Sequence, residues 1–246
     1  MTNPEKRACL VVGAGDATGA AIARAFAREG LIACLTRRPR HAEALETLAA
    51  SIRAEGHDAY ALPADARDEA AMTALFDGIE ADIAALDVVV FNIGANVRFD
   101  VAETTAQVYR KVWEMAAFAG FLTGREAAKR MAPRGAGTII FTGATASLRG
   151  AAGYSAFAGA KHALRALAQS MARELAPKNI HVAHVVIDGA IDTDFIAGLV
   201  PDIAALRAED AILSPDAIAA NYVWLWKQPR TAWTHELDLR PWKEKW

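Results

Sequence analysis

The feature that most narrows the fold is a repeated alternation. Short runs that are apolar on both faces are each followed by a longer stretch of helical period. Cys9-Leu10-Val11-Val12, Ile32 to Leu35, Tyr60 to Leu62, Val88-Val89-Val90-Phe91, Thr138-Ile139-Ile140-Phe141 and Val182 to Ile187 are the strand-like runs. Between them apolar residues recur at helical spacing, as at Leu45, Leu48 and Ile52, or at Met72, Leu75, Phe76, Ile79 and Ile83. A strand lacks a polar face when helices cover both sides of its sheet. The pattern therefore predicts an α/β fold, a doubly wound three-layer sandwich with a central parallel sheet. Gly30 and Gly56 read as helix stops, Ser214-Pro215 as a cap with proline in the first turn, and Glu236 to Leu239 as a last strand. The alternation runs to about residue 240 with no linker or repeat, so residues 1–246 read as one domain. Ile191 to Leu213 stands apart as loop-like and mixed, the kind of segment that covers a ligand crevice.

Composition removes several classes of partner. A hydrophobic fraction of 53% supplies one sizeable core and is too high for a disordered chain. The formal net charge of -2 gives no electrostatic reason to expect nucleic acid or an anionic membrane. No run approaches the ~18 to 20 apolar residues of a membrane span. The apolar run Ala8 to Ala14 after Lys6-Arg7 reads as a buried strand rather than a secretion signal. Cys9 and Cys34 lie inside apolar runs as small hydrophobes, compatible with a reducing cytoplasm, where the protein is expected. His162, His181 and His184 lack the spacing of a ligand set, so no metal site is expected. Trp224, Trp226, Trp233, Trp242 and Trp246 cluster toward the C-terminus, as a substrate-pocket wall, a subunit interface or core packing.

Gly13-Ala14-Gly15-Asp16-Ala17-Thr18-Gly19 follows the first strand and opens the first helix. In that position glycines permit a tight turn and let the backbone approach a pyrophosphate held at the helix N-terminus. At the end of strand two an acidic residue would suit a ribose 2′-hydroxyl, whereas arginine suits a 2′-phosphate. Thr36-Arg37-Arg38 stands there and favours NADP(H), with NAD(H) as the alternative; Asp16, close to the same phosphate, weighs against it.

These residues resemble the short-chain dehydrogenase/reductase family, with its Rossmann-type fold, over essentially the whole chain. The glycine loop is similar to the family's three-glycine pattern, with Ala17 in place of the middle glycine. Asp65, beside Ala66, matches the aspartate that meets the adenine, and Phe91-Asn92-Ile93-Gly94 resembles the Asn-Asn-Ala-Gly strand end. Lys161 to Leu164, Leu167 and Met171 to Leu175 match the helix carrying the catalytic lysine. Asp188-Gly189-Ala190-Ile191-Asp192-Thr193 is similar to the loop that holds the nicotinamide amide. The resemblance implies coenzyme contacts from Gly13, Gly15, Asp16, Thr18, Gly19, Arg37, Arg38, Asp65, Ala66, Asn92, Ile93, Gly94, Lys161, Gly189, Ile191 and Thr193. It also implies a homodimer or homotetramer acting on a small-molecule substrate.

The family's catalytic positions are altered. Its tyrosine, four before the lysine, is Phe157; its serine is Ala144; its asparagine aligns with Ala116. Lys161 alone remains, to hold the nicotinamide ribose. The expected substitute for the phenol is Tyr154, seven residues before Lys161, a spacing that resembles the family's enoyl reductases. Seven residues return to nearly the same helix face, roughly 10 Å along the axis. Tyr154 is the provisional proton donor or oxyanion partner, and Thr142, Thr145 and Ser147 are further hydroxyls nearby. The reading is a hydride-transferring enzyme for a small apolar carbonyl or enone-like substrate, with Tyr154 and Lys161 catalytic. The rival is a coenzyme-binding protein that has lost its chemistry.

Overall fold

The computed structural model describes residues 6–15, 17–198 and 202–244, so Asp16 and Trp246 of the expectations above, and residues 199–201 within the Ile191 to Leu213 segment, lie outside the described residues. The chain runs β1 (Arg7–Val12), α1 (Thr18–Arg28), β2 (Ile32–Thr36), α2 (Ala42–Ala54), β3 (Ala59–Ala61), α3 (Glu69–Gly78) and β4 (Ala85–Phe91). It continues through α4 (Ala106–Trp113), α5 (Ala119–Arg134), β5 (Gly137–Thr142), α6 (Ser155–Leu175) and β6 (Ile180–Ile187). It closes with α7 (Asp194–Ala197), α8 (Ile203–Ala208), α9 (Pro215–Trp226) and β7 (Glu236–Leu239). All seven strands pair in parallel, in the order β3-β2-β1-β4-β5-β6-β7.

The alternation of side chains along each strand builds two cores. Cys9 and Val11 face α1, α2 and α9 through Phe26, Ile52 and Tyr222. Ala8, Leu10 and Val12 face α3, α5 and α6 through Phe76, Met131 and Leu164. Because both faces of the sheet are buried, the central strands are predominantly apolar. Between β1 and β4 the strand order reverses direction, and the crevice beyond their C-terminal ends is where such sheets bind ligands.

Local signals explain the boundaries. Ser214 caps α9 by accepting a hydrogen bond from the Ala217 amide, with Pro215 in the first turn. α4 and α5 are joined by a π-helical turn at Glu114–Phe118, which places Ala116 fully inside the protein. The segment after β6 is more ordered than its composition suggested. Ile191 pairs with Leu213 across its neck, and α7 and α8 lie between. The cause is local: Thr193 and Asp202 cap those two short helices.

Trp226, Trp233 and His184 resolve as packing, whereas Trp224 and Trp242 remain exposed. Among the described residues no tryptophan lines the larger cavity of the cleft. Trp226 packs edge-on to Phe26, its indole N–H donating to Asp87, and Trp233 stacks on His181 at 4.9 Å. His184 is fully buried with Nδ1 3.1 Å from Glu236, and burial lowers its pKa to about 4, so it is neutral.

Candidate active site

The cleft divides into two neighbouring cavities that share Asn92, Ile93 and Gly94. The smaller, about 230 Å³, lies over the ends of β1 and β2. Its floor is the glycine loop. Gly13 has φ +92, a conformation that favours glycine, and it donates its amide hydrogen to the Thr36 carbonyl. A Cβ on Gly19 would sit 2.6 Å from the Gly13 carbonyl oxygen, so only glycine lets α1 start this close to the loop. A Cβ on Gly15 would meet nothing within 4 Å. The protein's own packing therefore does not require glycine at 15, and the space over it is room for a ligand. Ala17, at the start of α1, offers no side-chain cap, and an uncapped helix N-terminus suits an anion.

Arg37, Arg38 and His41 line the same cavity. Burial, followed by Arg40 and Arg67, lowers the Arg38 pKa. This crowding of positive charge suits a phosphate. Asp65 and Ala66 form the opposite rim. Arg67, which the sequence reading missed, binds the Asp65 carboxylate through Nε at 3.0 Å and Nη2 at 2.6 Å, lowering its pKa. The two-residue spacing was the signal for that pair. Asn92 holds the end of β1 by donating to the Gly13 carbonyl at 3.2 Å.

The larger cavity, about 540 Å³, extends over β4, β5 and β6. Thr18, Asn92, Ile93 and Gly94 border it on one side, and Gly189, Ile191 and Thr193 on another. Ala144, Tyr154, Phe157 and Lys161 stand together in its wall, so the sequence-predicted catalytic pair does converge. Tyr154 occupies the cap position just ahead of α6, and Lys161 lies seven residues further on.

Lys161 is buried, and its ammonium donates to the carbonyl oxygens of Ile93 at 3.0 Å and Thr142 at 2.8 Å. It sits 5.8 Å from the centre of the Phe157 ring, the group standing where a phenol is expected. Burial lowers the Lys161 pKa from 10.5 to about 7.

The remaining hydroxyls separate cleanly. Thr142 Oγ1 shares a hydrogen bond with the buried phenol of Tyr222 at 2.8 Å. Ser147 is fully buried, and its oxygen accepts from the Ala144 amide at 3.1 Å. Thr145 lines the cavity.

Comparison with known proteins identifies the family. The family model described as short chain dehydrogenase matches residues 7–203. Cis-4-hydroxycyclohexanecarboxylate dehydrogenase of Sinomonas cyclohexanicum is 31% identical over 204 residues, covering 82% of this chain and 80% of the relative. 2,3-Dihydro-2,3-dihydroxybenzoate dehydrogenase of Bacillus subtilis is 29% identical, over 77% of this chain and 72% of its own. The crystal structure of a short-chain dehydrogenase from Rhodopseudomonas palustris superposes with a TM-score of 0.83 at 47% identity, covering 97% of this chain and all of that one. Since the model covers well over half of the residues and the relatives span most of their own length, the chain belongs to the short-chain dehydrogenase/reductase family of oxidoreductases.

Proposed function

We propose that the protein is an NADP(H)-preferring oxidoreductase for a small apolar carbonyl or carbonyl-conjugated compound and its reduced partner. The observation that carries this reading is the shared cleft. A glycine loop with open space over Gly15 leads directly into a cavity whose wall holds the buried Lys161 and the phenol of Tyr154. When bound, the nicotinamide coenzyme supplies or accepts hydride.

The chain's own groups bind, orient and exchange protons. The glycine loop and the start of α1 receive the pyrophosphate, Arg37 and Arg38 the 2′-phosphate, and Asp65 and Ala66 border the adenine. Lys161 holds the nicotinamide ribose with the donor capacity left over from its two carbonyl partners. Gly189, Ile191 and Thr193 hold the amide, beneath the segment at 191–213. Tyr154 meets the substrate oxygen, a role Phe157 cannot fill because it has no exchangeable hydrogen.

The named relatives act on ring-bearing hydroxy acids, which supports a ring-sized substrate. Their being dehydrogenases favours turnover over the rival reading, a non-catalytic NADP(H)-binding protein, which rests on the losses at Ala144 and Phe157. Exposed Tyr109, Trp113 and Phe121 along α4 and α5 support assembly as a homodimer or homotetramer. No helix among the described residues is long and apolar enough to cross a membrane.

The test has two stages. NADPH and NADH are titrated against tryptophan fluorescence and melting temperature, and tighter binding of NADPH is expected. A panel of ketones, enones and imines is then followed by NADPH absorbance. Coenzyme binding with no oxidation across the panel would favour the rival, and no response to either coenzyme would end both readings.

A further inference from the structure

Behind the wall of the larger cavity stands a carboxylate that the proposed function leaves without a role. Asp188 follows β6 directly and is fully buried. Its Oδ1 accepts the hydroxyl of Thr145 at 2.5 Å, across 43 residues of sequence. Two guanidiniums flank it: Arg149 lies 3.7 Å from Oδ1 and Arg240 lies 3.4 Å from Oδ2. A hydroxyl hydrogen facing a carboxylate at this distance belongs to a short, charge-assisted bond.

The consequence concerns what Thr145 shows to the cavity. A threonine hydroxyl has one hydrogen and two lone pairs. With the hydrogen committed to Asp188, the oxygen presents acceptor capacity only. The backbone keeps it in place. Thr145 opens a 3₁₀ turn that follows β5 after Gly143 and Ala144, and its carbonyl accepts the amides of Leu148 at 3.0 Å and Arg149 at 3.2 Å. A carbonyl substrate has no hydrogen to give such an oxygen, whereas an alcohol does. Tyr154, whose hydroxyl both donates and accepts, serves either partner.

We propose that Thr145 Oγ1, held by Asp188, accepts the hydroxyl hydrogen of an alcohol substrate. Of a carbonyl–alcohol couple, the cavity therefore holds the alcohol better. Thr145 is a substrate contact and Asp188 a positioning residue. This inference rests on the reading of the cleft as a nicotinamide-dependent site, and it selects the carbonyl–alcohol branch of that reading over the enone branch.

The test uses pairs that cannot react, read by ligand-observed NMR as binding rather than turnover. Cyclohexanol is titrated into the NADPH-loaded protein and cyclohexanone into the NADP⁺-loaded protein. Thr145→Val is expected to weaken cyclohexanol roughly tenfold and cyclohexanone by about twofold or less, as for loss of one buried hydrogen bond. Thr145→Ser restores the alcohol. Asp188→Ala removes the acceptor, frees the Thr145 hydrogen and erases or reverses the preference, while Thr145 itself remains. Equal weakening of both probes in Thr145→Val overturns the proposal, as does absence of any alcohol preference in the unaltered protein. So does a fall in coenzyme affinity in Thr145→Val with the preference intact, because Thr145 would then serve the coenzyme. Failure of the unaltered protein to bind either coenzyme would instead remove the reading underneath.

Discussion

At the coenzyme end of the cleft, β1 and β2 deliver glycines, main-chain groups and two arginines to a small cavity. At the other end, the segment after β5 and helix α6 deliver Ala144, Phe157 and Lys161 to the larger cavity, two of them at positions where the family resemblance leads one to expect hydroxyls. The first end depends on backbone shape: Gly13 at positive φ and Gly19 against a carbonyl leave few alternatives. The second end depends on single oxygen atoms, which a different loop residue or a neighbouring strand can supply. Under the proposed function, Tyr154 and the Thr145–Asp188 pair are such replacements. Binding machinery built from main chain resists substitution, whereas proton-handling machinery built from side-chain tips can migrate within one cavity.

The comparison is broken most directly at its chemical end. Tyr154→Phe is expected to lower turnover by about 10² to 10⁴, the usual cost of a positioned acid, while coenzyme affinity stays level. Unchanged turnover would mean that the phenol had not moved to position 154. At the other end, Gly19→Ala forces a Cβ to within 2.6 Å of the Gly13 carbonyl oxygen. The loop must shift at a cost of about 1–3 kcal/mol, and NADPH and NADH should weaken alike in a fluorescence titration. Equal affinity in variant and parent would show that the loop is looser than its geometry implies.

A finer contrast comes from the arginines. Replacing both Arg37 and Arg38 with alanine should weaken NADPH by about 1.5–3 kcal/mol and leave NADH nearly unmoved. A parallel loss for both coenzymes would assign the arginines to the shared diphosphate rather than a 2′-phosphate.

A pH slope reads the lysine itself. The folded pKa of Lys161, about 7, lies below its usual 10.5, so in that window the unfolded chain binds the extra proton. Stability of the coenzyme-free protein therefore rises with pH from about 7 toward 10.5, and the full penalty applies below 7. The slope approaches 1.4 kcal/mol per pH unit and should vanish in Lys161→Met, measured as the difference between the two denaturation series.

How far the sequence foretold this differs along the same divide. Strands buried on both faces announce themselves, so the sheet, the Ser214 cap and the strand Glu236–Leu239 were legible from pattern alone. The glycine loop and Lys161 were legible because their spacing is local. What was hidden required three dimensions. Asp188 and Thr145 meet only because β5 and β6 are neighbours, and nothing in either segment names the other. The C-terminal tryptophans were ambiguous because burial against Phe26 or His181 leaves the same composition as a pocket wall. The helices α7 and α8 were missed because each is a single short turn set by its cap rather than by periodicity.

Lys161 is tied to two carbonyl oxygens, one beyond β4 and one at the tip of β5. No mutation elsewhere can delete either acceptor, since every amino acid carries the same peptide oxygen. A mutational library that randomised the lining around Lys161 would thus change what enters the cavity while leaving both of the amine's acceptors in the backbone. For anyone redesigning this catalyst, that nitrogen is the coordinate origin from which new reach and new selectivity are measured.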